Sequence, residues 1–233
     1  MNHIHPSAII GPSVILGTRN IIGPYVVLAG RTTIGDENWI GPGSSIGIPG
    51  DLLGRPSANQ VPFWEFDSSD VGEAVTIGSR NVIKEHATIH AGSHRPTSIG
   101  NDCYLMPRSH VGHDCWLGDN VLLSPNAQIA GHVSIGTRTV VGMGALIHQF
   151  SSVGPVSMVG MGCCVRGSVD PCRTVVGEPH RVTGINKIGL SRFLGEDLMS
   201  IALKSLKTND NDLMPADLRR EVSRWRDNII SPG

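Results

Sequence analysis

Residues 99–164 divide without remainder into eleven hexads, IGNDCY LMPRSH VGHDCW LGDNVL LSPNAQ IAGHVS IGTRTV VGMGAL IHQFSS VGPVSM VGMGCC, each led by Ile, Leu or Val. Val165 leads a twelfth. Four residues after the leaders stand Cys103, Ser109, Cys115, Val121, Ala127, Val133, Thr139, Ala145, Ser151, Ser157 and Cys163, all small. A period of six fits neither the 3.6 of a helix nor the 2 of a simple strand; either would scatter these leaders over several faces. A chain that makes a short strand, turns a corner and repeats puts every leader inside.

The same rhythm runs outward. Ile4, Ile10, Leu16, Ile22, Leu28, Ile34, Ile40 and Ile46 form an earlier series, and Ile77, Ile83 and Ile89 resume it before a slip of four residues leads into Ile99. The 23 hexads cover 138 residues, about eight coils at three hexads per coil, and at ~4.8 Å per stacked strand a prism about 40 Å long. Thin aliphatic layers explain the composition: 44 of 233 residues are Gly or Pro and only 10 are aromatic, although 39% are hydrophobic. They also place Cys103, Cys115 and Cys163 at inward positions as reduced thiols, with a catalytic thiol the weaker alternative.

Two stretches leave the rhythm. Residues 48–70, with Pro49, Gly50, Asp51, Pro62, Trp64 and Phe66, read as a loop excursion, and long loops in compact repeats are commonly functional. The slip near Arg95–Ser98 reads as a corner insertion. From 186 to 233 the period turns helical, through Leu190, Leu194, Leu198, Ile201 and Leu206, then Leu218, Val222 and Trp225 after Pro215. The reading is a β-helix over 1–185 and a helical region over 186–233 that caps its open end. Lys204, Lys207, Arg219, Arg220, Arg224 and Arg226 there form either a solvated face or a dock for an acidic protein.

A net charge of −1 and a pI near 6.8 supply no basic stripe for nucleic acid. No window approaches the ~18 apolar residues of a membrane span, no cationic and apolar leader opens the chain, and the five cysteines lack disulfide or metal spacing, so the chain reads as cytosolic.

A filled prism holds no cavity of its own, so its chemistry must point outward and a concave site needs a neighbouring chain. With 18 residues per coil, His113, Gly131 and Gln149 stack in one column, each two residues past a leader. An imidazole one strand spacing from a residue without Cβ suits acyl transfer: the ring accepts a proton and a backbone N–H meets the developing oxyanion. Asp114 either orients that imidazole or faces elsewhere, and His113 is either the base or a corner histidine that bonds a neighbouring coil.

The motifs His110-Val111-Gly112-His113-Asp114-Cys115, Ile129-Ala130-Gly131-His132-Val133 and Ile147-His148-Gln149-Phe150 resemble the acyl-carrier-protein–UDP-N-acetylglucosamine O-acyltransferases, hexapeptide-repeat transferases that begin lipid A synthesis. The resemblance extends through Ile83-Lys84-Glu85, Thr88-Ile89-His90 and Gly184-Ile185-Asn186 to Arg192, over residues 75–192. It implies a mainly β fold, a left-handed parallel β-helix, assembled as a homotrimer. It implies His113 as general base toward a sugar 3-hydroxyl and the Gly131 N–H as oxyanion donor to an acyl-carrier-protein thioester, with no cofactor and no metal. By the same resemblance His110 and Gln149 contact the sugar or nucleotide, His132 and His148 border the acyl and nucleotide path, Asp51 holds sugar hydroxyls, and Asn186 and Arg192 meet the nucleotide phosphates. Asn186 as a helix cap and Arg192 as a surface cation stay open alternatives.

The chain departs from that pattern at Leu53, which stands where the family's phosphate-binding lysine is expected. The helical tail is shorter, and Met161 occupies the place that limits acyl-chain length, as a chain-shortening residue or a packing filler. Other readings are the same machinery on an amine of a UDP-amino sugar or with a CoA donor, a metal hydratase of the γ-carbonic-anhydrase type, whose histidine spacing is absent here, and a scaffold without catalysis.

Overall fold

The computed structural model describes residues 1–50 and 74–230. The hexads form a parallel β-helix whose two- to five-residue strands stack into three sheets. The first face runs from His3–Ile4 and ends at Arg173–Val176 and Arg181–Ile185, which pair antiparallel. The second begins at Ile9–Ile10 and the third at Ile15–Leu16. The register is the 18-residue coil itself: Val111 pairs with Ile129, Ile129 with Ile147 and Ile147 with Val165. Each of these leaders is at most 2% exposed, and burying one stabilises the fold by about 1.5–3 kcal/mol.

The rest of the interior is narrow. Cys103, Cys115 and Cys163 are buried at the small positions, and burial pushes the thiols of Cys103 and Cys115 up to about 12, so neither supplies a thiolate. At the same inward level in the early coils runs a ladder of asparagines. Asn38 Nδ2 donates to Asn20 Oδ1 at 3.0 Å and Asn81 Nδ2 to Asn38 Oδ1 at 2.9 Å, satisfying amides that would be costly to bury alone.

Corners use a two-residue device. The second corner residue has φ near +60° even where it is not glycine, as at Asp114, His132 and Phe150, and its N–H bonds the coil before, as His132 N–H does to the His113 carbonyl at 2.9 Å. The first corner residue stands outside the sheet ladder, which is why proline fits there at positions 24, 42, 107, 125, 155 and 171.

The expected excursion at 48–70 begins later than the sequence suggests. Ile48 and Pro49 still belong to the strand Ser45–Pro49, paired with His90 and Ala91, while residues 51–70, Asp51 and Leu53 included, lie outside the described residues. Two further coil strands, Ser168–Val169 and Arg173–Val176, follow Val165 after a shortened corner.

Helix α1, Lys187–Thr208, carries a break at Gly195 (φ 76°, ψ 170°); helix α2 is Ala216–Arg226. They do not sit across the end of the prism. Leu190, Leu218 and Val222 cluster with Val156 and Cys172 at the third-to-first corner, Glu221 accepts from Thr137, and Arg224 pairs with Asp119 and covers Trp116. The helices therefore run back along the side, and α2 occupies part of the third face. Helical periodicity shows which side of a helix is apolar but not which surface receives it. Among the described residues no helix is long and apolar enough to cross a membrane.

Candidate active site

His110-Val111 is a strand of the second face, and the chain turns at His113-Asp114 into Trp116-Leu117 of the third. One coil on, Gly131-His132 makes the same turn, so the sequence column is a physical one: a Cβ built on Gly131 would lie 2.6 Å from His113 Nε2. His113 Nδ1 is 2.6 Å from Asp114 Oδ2. With the Asp114 carboxylate as acceptor, Nδ1 carries the proton and Nε2, beside Gly131, is the free basic nitrogen. The Gly131 N–H occupies the first corner position and has no acceptor among the described residues.

Asp114 is fully buried yet charged. Burial works against the carboxylate, but hydrogen bonds from His113, the Ser93 hydroxyl and the Arg95 and His94 N–H groups outweigh it and hold the carboxyl well below its usual range. Oδ1 accepts from the N–H groups of Ser93, His94 and Arg95 at 3.0, 2.7 and 2.8 Å; Oδ2 accepts from Ser93 Oγ at 2.5 Å as well as from His113. This cradle is the four-residue slip before Ile99. Its register break was visible in the sequence, but its role was not, because nothing in a spacing says which carboxylate a turn will enclose.

His132 stacks on Phe150 with centroids 4.5 Å apart and stands edge-on to His113 at 4.9 Å; burial pushes its imidazole below the usual value. Donor atoms of His94, Asp114 and His132 lie within 4.8 Å of one another, the arrangement among the described residues that comes nearest to a metal site. Asp114 already accepts five hydrogen bonds on two oxygens, which exhausts its lone pairs, and His132 Nε2 stands 3.7 Å from Oδ2, beyond hydrogen-bond distance.

On the second face a groove of about 450 Å³ runs from His90 and His110 past His113 and Gly131 to Leu146 and Cys164. Its polar end is set by His110, whose Nδ1 is 2.7 Å from Thr88 Oγ1, and its far end carries Leu146 and Ile147 with Cys164 and Arg166. His148 lines it, and Gln149 is exposed one coil beyond Gly131. Gly50 packs closely on His113: a Cβ there would meet the His113 side chain at 2.8 Å.

Three residues named from the sequence lie elsewhere on the single chain. Met161 is 77% exposed at the first-to-second corner, which rules out a core filler, and it is not part of the groove wall. Asn186 caps α1, accepting from the Gly189 N–H at 3.1 Å and donating to the Val156 carbonyl at 2.8 Å. With Arg192 and Arg138 it lines a second groove, of about 520 Å³, on the first face. One chain thus brings together His113, Asp114, Gly131, His110, His132 and His148, but not Asn186 or Arg192.

The model of the bacterial transferase hexapeptide (six repeats) family matches residues 96–131 and 115–149. The acyl-acyl-carrier-protein–UDP-N-acetylglucosamine O-acyltransferase of Syntrophobacter fumaroxidans is 35% identical over 134 residues, covering 52% of this chain and 50% of that protein. The chain thus spans about half the length of this relative. Among solved structures, the UDP-N-acetylglucosamine acyltransferase of Francisella novicida is 30% identical with a TM-score of 0.60, covering 88% of this chain and 75% of that one. That of Campylobacter jejuni is 27% identical with a TM-score of 0.71, covering 98% and 91%.

Proposed function

The chain belongs to the acyl-carrier-protein–UDP-N-acetylglucosamine O-acyltransferase family, and on that premise we propose that it transfers an acyl group from an acyl-carrier-protein thioester to the 3-hydroxyl of UDP-N-acetylglucosamine or a related nucleotide sugar. The observation that carries the reading is the His113 imidazole, held at Nδ1 by Asp114 while Nε2 faces the Gly131 corner. His113 Nε2 removes the hydroxyl proton as the sugar oxygen bonds to the thioester carbonyl carbon. The carbonyl oxygen takes the negative charge and the Gly131 N–H donates to it. Collapse breaks the carbon–sulfur bond, and the imidazolium returns its proton to the leaving thiolate. Buried Asp114 stabilises the imidazolium, and no nucleophilic Ser or Cys is required.

The active unit in this proposal is a homotrimer. The nucleotide-phosphate candidates Asn186 and Arg192 stand on the first face and the base on the second, while α2 takes up part of the third. Setting the second face of one copy against the first face of the next supplies the missing groove wall and brings Arg192 of a neighbour toward the sugar site. The exposed apolar residues Met143, Leu146 and Met161 lie on the surface that such packing covers. Met161 then closes the acyl end of the path and favours shorter chains.

The test is incubation of the purified protein with a panel of acyl-carrier-protein and CoA thioesters and of UDP-sugars bearing a hydroxyl or an amine at the acceptor position, products being read by mass. Turnover to an acylated nucleotide sugar, lost about 10²-fold or more in His113→Ala, is expected. Wild-type turnover by His113→Ala refutes the base assignment, and exclusive amide products move the acceptor from hydroxyl to amine.

A further inference from the structure

We infer that Ser93 and Arg95 are positioning residues for the His113–Asp114 pair, and that the Asn228 carbonyl beyond α2 anchors Arg95, tying the C-terminal helices to the active corner. The inference rests on the reading of His113 as the base. Every polar group of Asp114 is tied down. Its N–H donates to Thr97 Oγ1 at 2.9 Å, its carbonyl accepts from Arg95 Nε at 2.8 Å, and its carboxylate accepts from the cradle. His113 takes the remaining lone pair, so the direction in which its Nε2 points is inherited from Asp114.

Arg95 grips Asp114 twice, by its own N–H on Oδ1 and by Nε on the backbone carbonyl. Its guanidinium then continues away from the site, where Nη1 donates to the Asn228 carbonyl at 3.1 Å. That carbonyl also accepts from Ser134 Oγ, and Asn228 Nδ2 donates to the Arg224 carbonyl at 2.8 Å. Through Asn228 and Arg95 a hydrogen-bonded path runs from α2 to the catalytic corner, and Arg224 itself pairs with Asp119 at 2.7 Å. Arg95 Nη2 is buried with no acceptor among the described residues. A half-buried guanidinium with one idle amino group is a poor way to stabilise a fold, since an apolar side chain would fill the space without the desolvation cost. Its fork is accounted for by what the other nitrogens hold in place.

The groups that face the His113 imidazole among the described residues are Asp114, His132 edge-on, and, across Asp114, His94 and Arg95. The experiment uses the full chain and the variants Arg95→Met, Arg95→Lys and Ser93→Ala. Side-chain nitrogen NMR follows the His113 Nδ1–H signal, identified by its loss in His113→Gln, and steady-state kinetics follow thioester transfer to the nucleotide sugar. In Arg95→Met the Nδ1–H signal is expected to be lost to solvent exchange, with kcat down about 10- to 100-fold and KM within about twofold. Arg95→Lys does not restore it, because an ammonium cannot span two carbonyls as a planar fork does. In Ser93→Ala, Oδ2 loses a donor and holds the imidazolium proton more tightly, so the acidic limb of kcat/KM moves to higher pH.

If the folded variants keep the wild-type imidazole signal and acidic limb while only thermal stability falls, the residues are structural and the inference is overturned. Should Arg95→Met not fold, Ser93→Ala decides by the same two readouts. A wild type that shows the signal, loses it in Arg95→Met and turns over no thioester overturns the proposed function and leaves the positioning intact.

Discussion

Substituting Gly131 by alanine separates catalysis from folding. The new Cβ would lie 2.6 Å from His113 Nε2 and 2.7 Å from Cε1, where ordinary contact begins at 3.4 Å, so the imidazole must retreat by about 0.8 Å. It cannot do so freely, because Nδ1 is held at 2.6 Å by a carboxylate with no slack of its own. Displacements of about 1 Å at a reacting group cost on the order of 10²-fold in rate, and the methyl also shields the N–H that would meet the oxyanion. Gly131 is not among the positive-φ glycines, so the backbone accepts alanine, and a smaller unfolded-state entropy offsets part of the crowding at His113. The expected result is a kcat about 100-fold lower, measured by mass on the acylated nucleotide sugar, with an unfolding free energy from urea titration within about 1 kcal/mol of wild type. A Gly131→Ala protein that keeps more than a third of wild-type kcat would refute the placing of the reacting carbonyl between these two residues.

Asp114→Asn preserves the shape of the site but not the proton acceptor, and kcat should fall by about 10²- to 10⁴-fold with the β-helix intact by circular dichroism. The Asp114 carboxyl is depressed in the folded state. Its stabilisation is therefore complete above the unfolded value of about 3.9 and is lost as pH falls below it toward the folded value, so wild-type urea midpoints should drop more steeply below pH 4 than those of Asp114→Asn. For His132, a base lowered on folding, the unfolded chain binds the extra proton, and stability should decline as pH falls through about 6.5; urea midpoints from pH 7.5 to 5.5 that rise on acidification would contradict its burial as a neutral ring. Ile129→Ala empties a fully buried layer behind the site and should cost about 2–5 kcal/mol in urea unfolding.

The hexad rhythm made the prism, its inward thiols and the His113–Gly131 column legible, because each follows from a period that backbone stacking converts directly into distance. Other features depend on contacts that no period encodes. The helical spacing of Leu190, Leu194 and Leu218 shows an apolar stripe, but only the docking of Leu190 and Leu218 beside Val156 and Cys172 shows that the helices descend the side of the prism. Asn186 reads equally as a cap or a ligand in sequence; in the fold its amide oxygen caps α1 and its amide nitrogen donates to the Val156 carbonyl, which leaves Arg192 beside it the freer group. Val169 and Val175 lie off the hexad register set by Val165 because the corner before them is two residues short.

That short corner completes a pattern. The 25-residue insertion between Ile46 and Ile77, the four-residue insertion between Ile89 and Ile99 and the deletion after Val165 all fall between the second and third faces. This is the corner where His113-Asp114 and Gly131-His132 turn. A regular coil can place identical small groups at fixed spacings, but it cannot enclose a carboxylate or close over an imidazole, since every corner would then do the same. The irregular lengths supply the difference: residues 93–95 wrap Asp114, and Gly50 packs closely on His113. In a repeat of this kind the edge that carries chemistry can be found by asking at which corner the insertions accumulate. Shortening residues 92–95 to the regular corner should therefore abolish transfer while leaving the aliphatic core, which those residues do not enter, folded by circular dichroism and thermal melting.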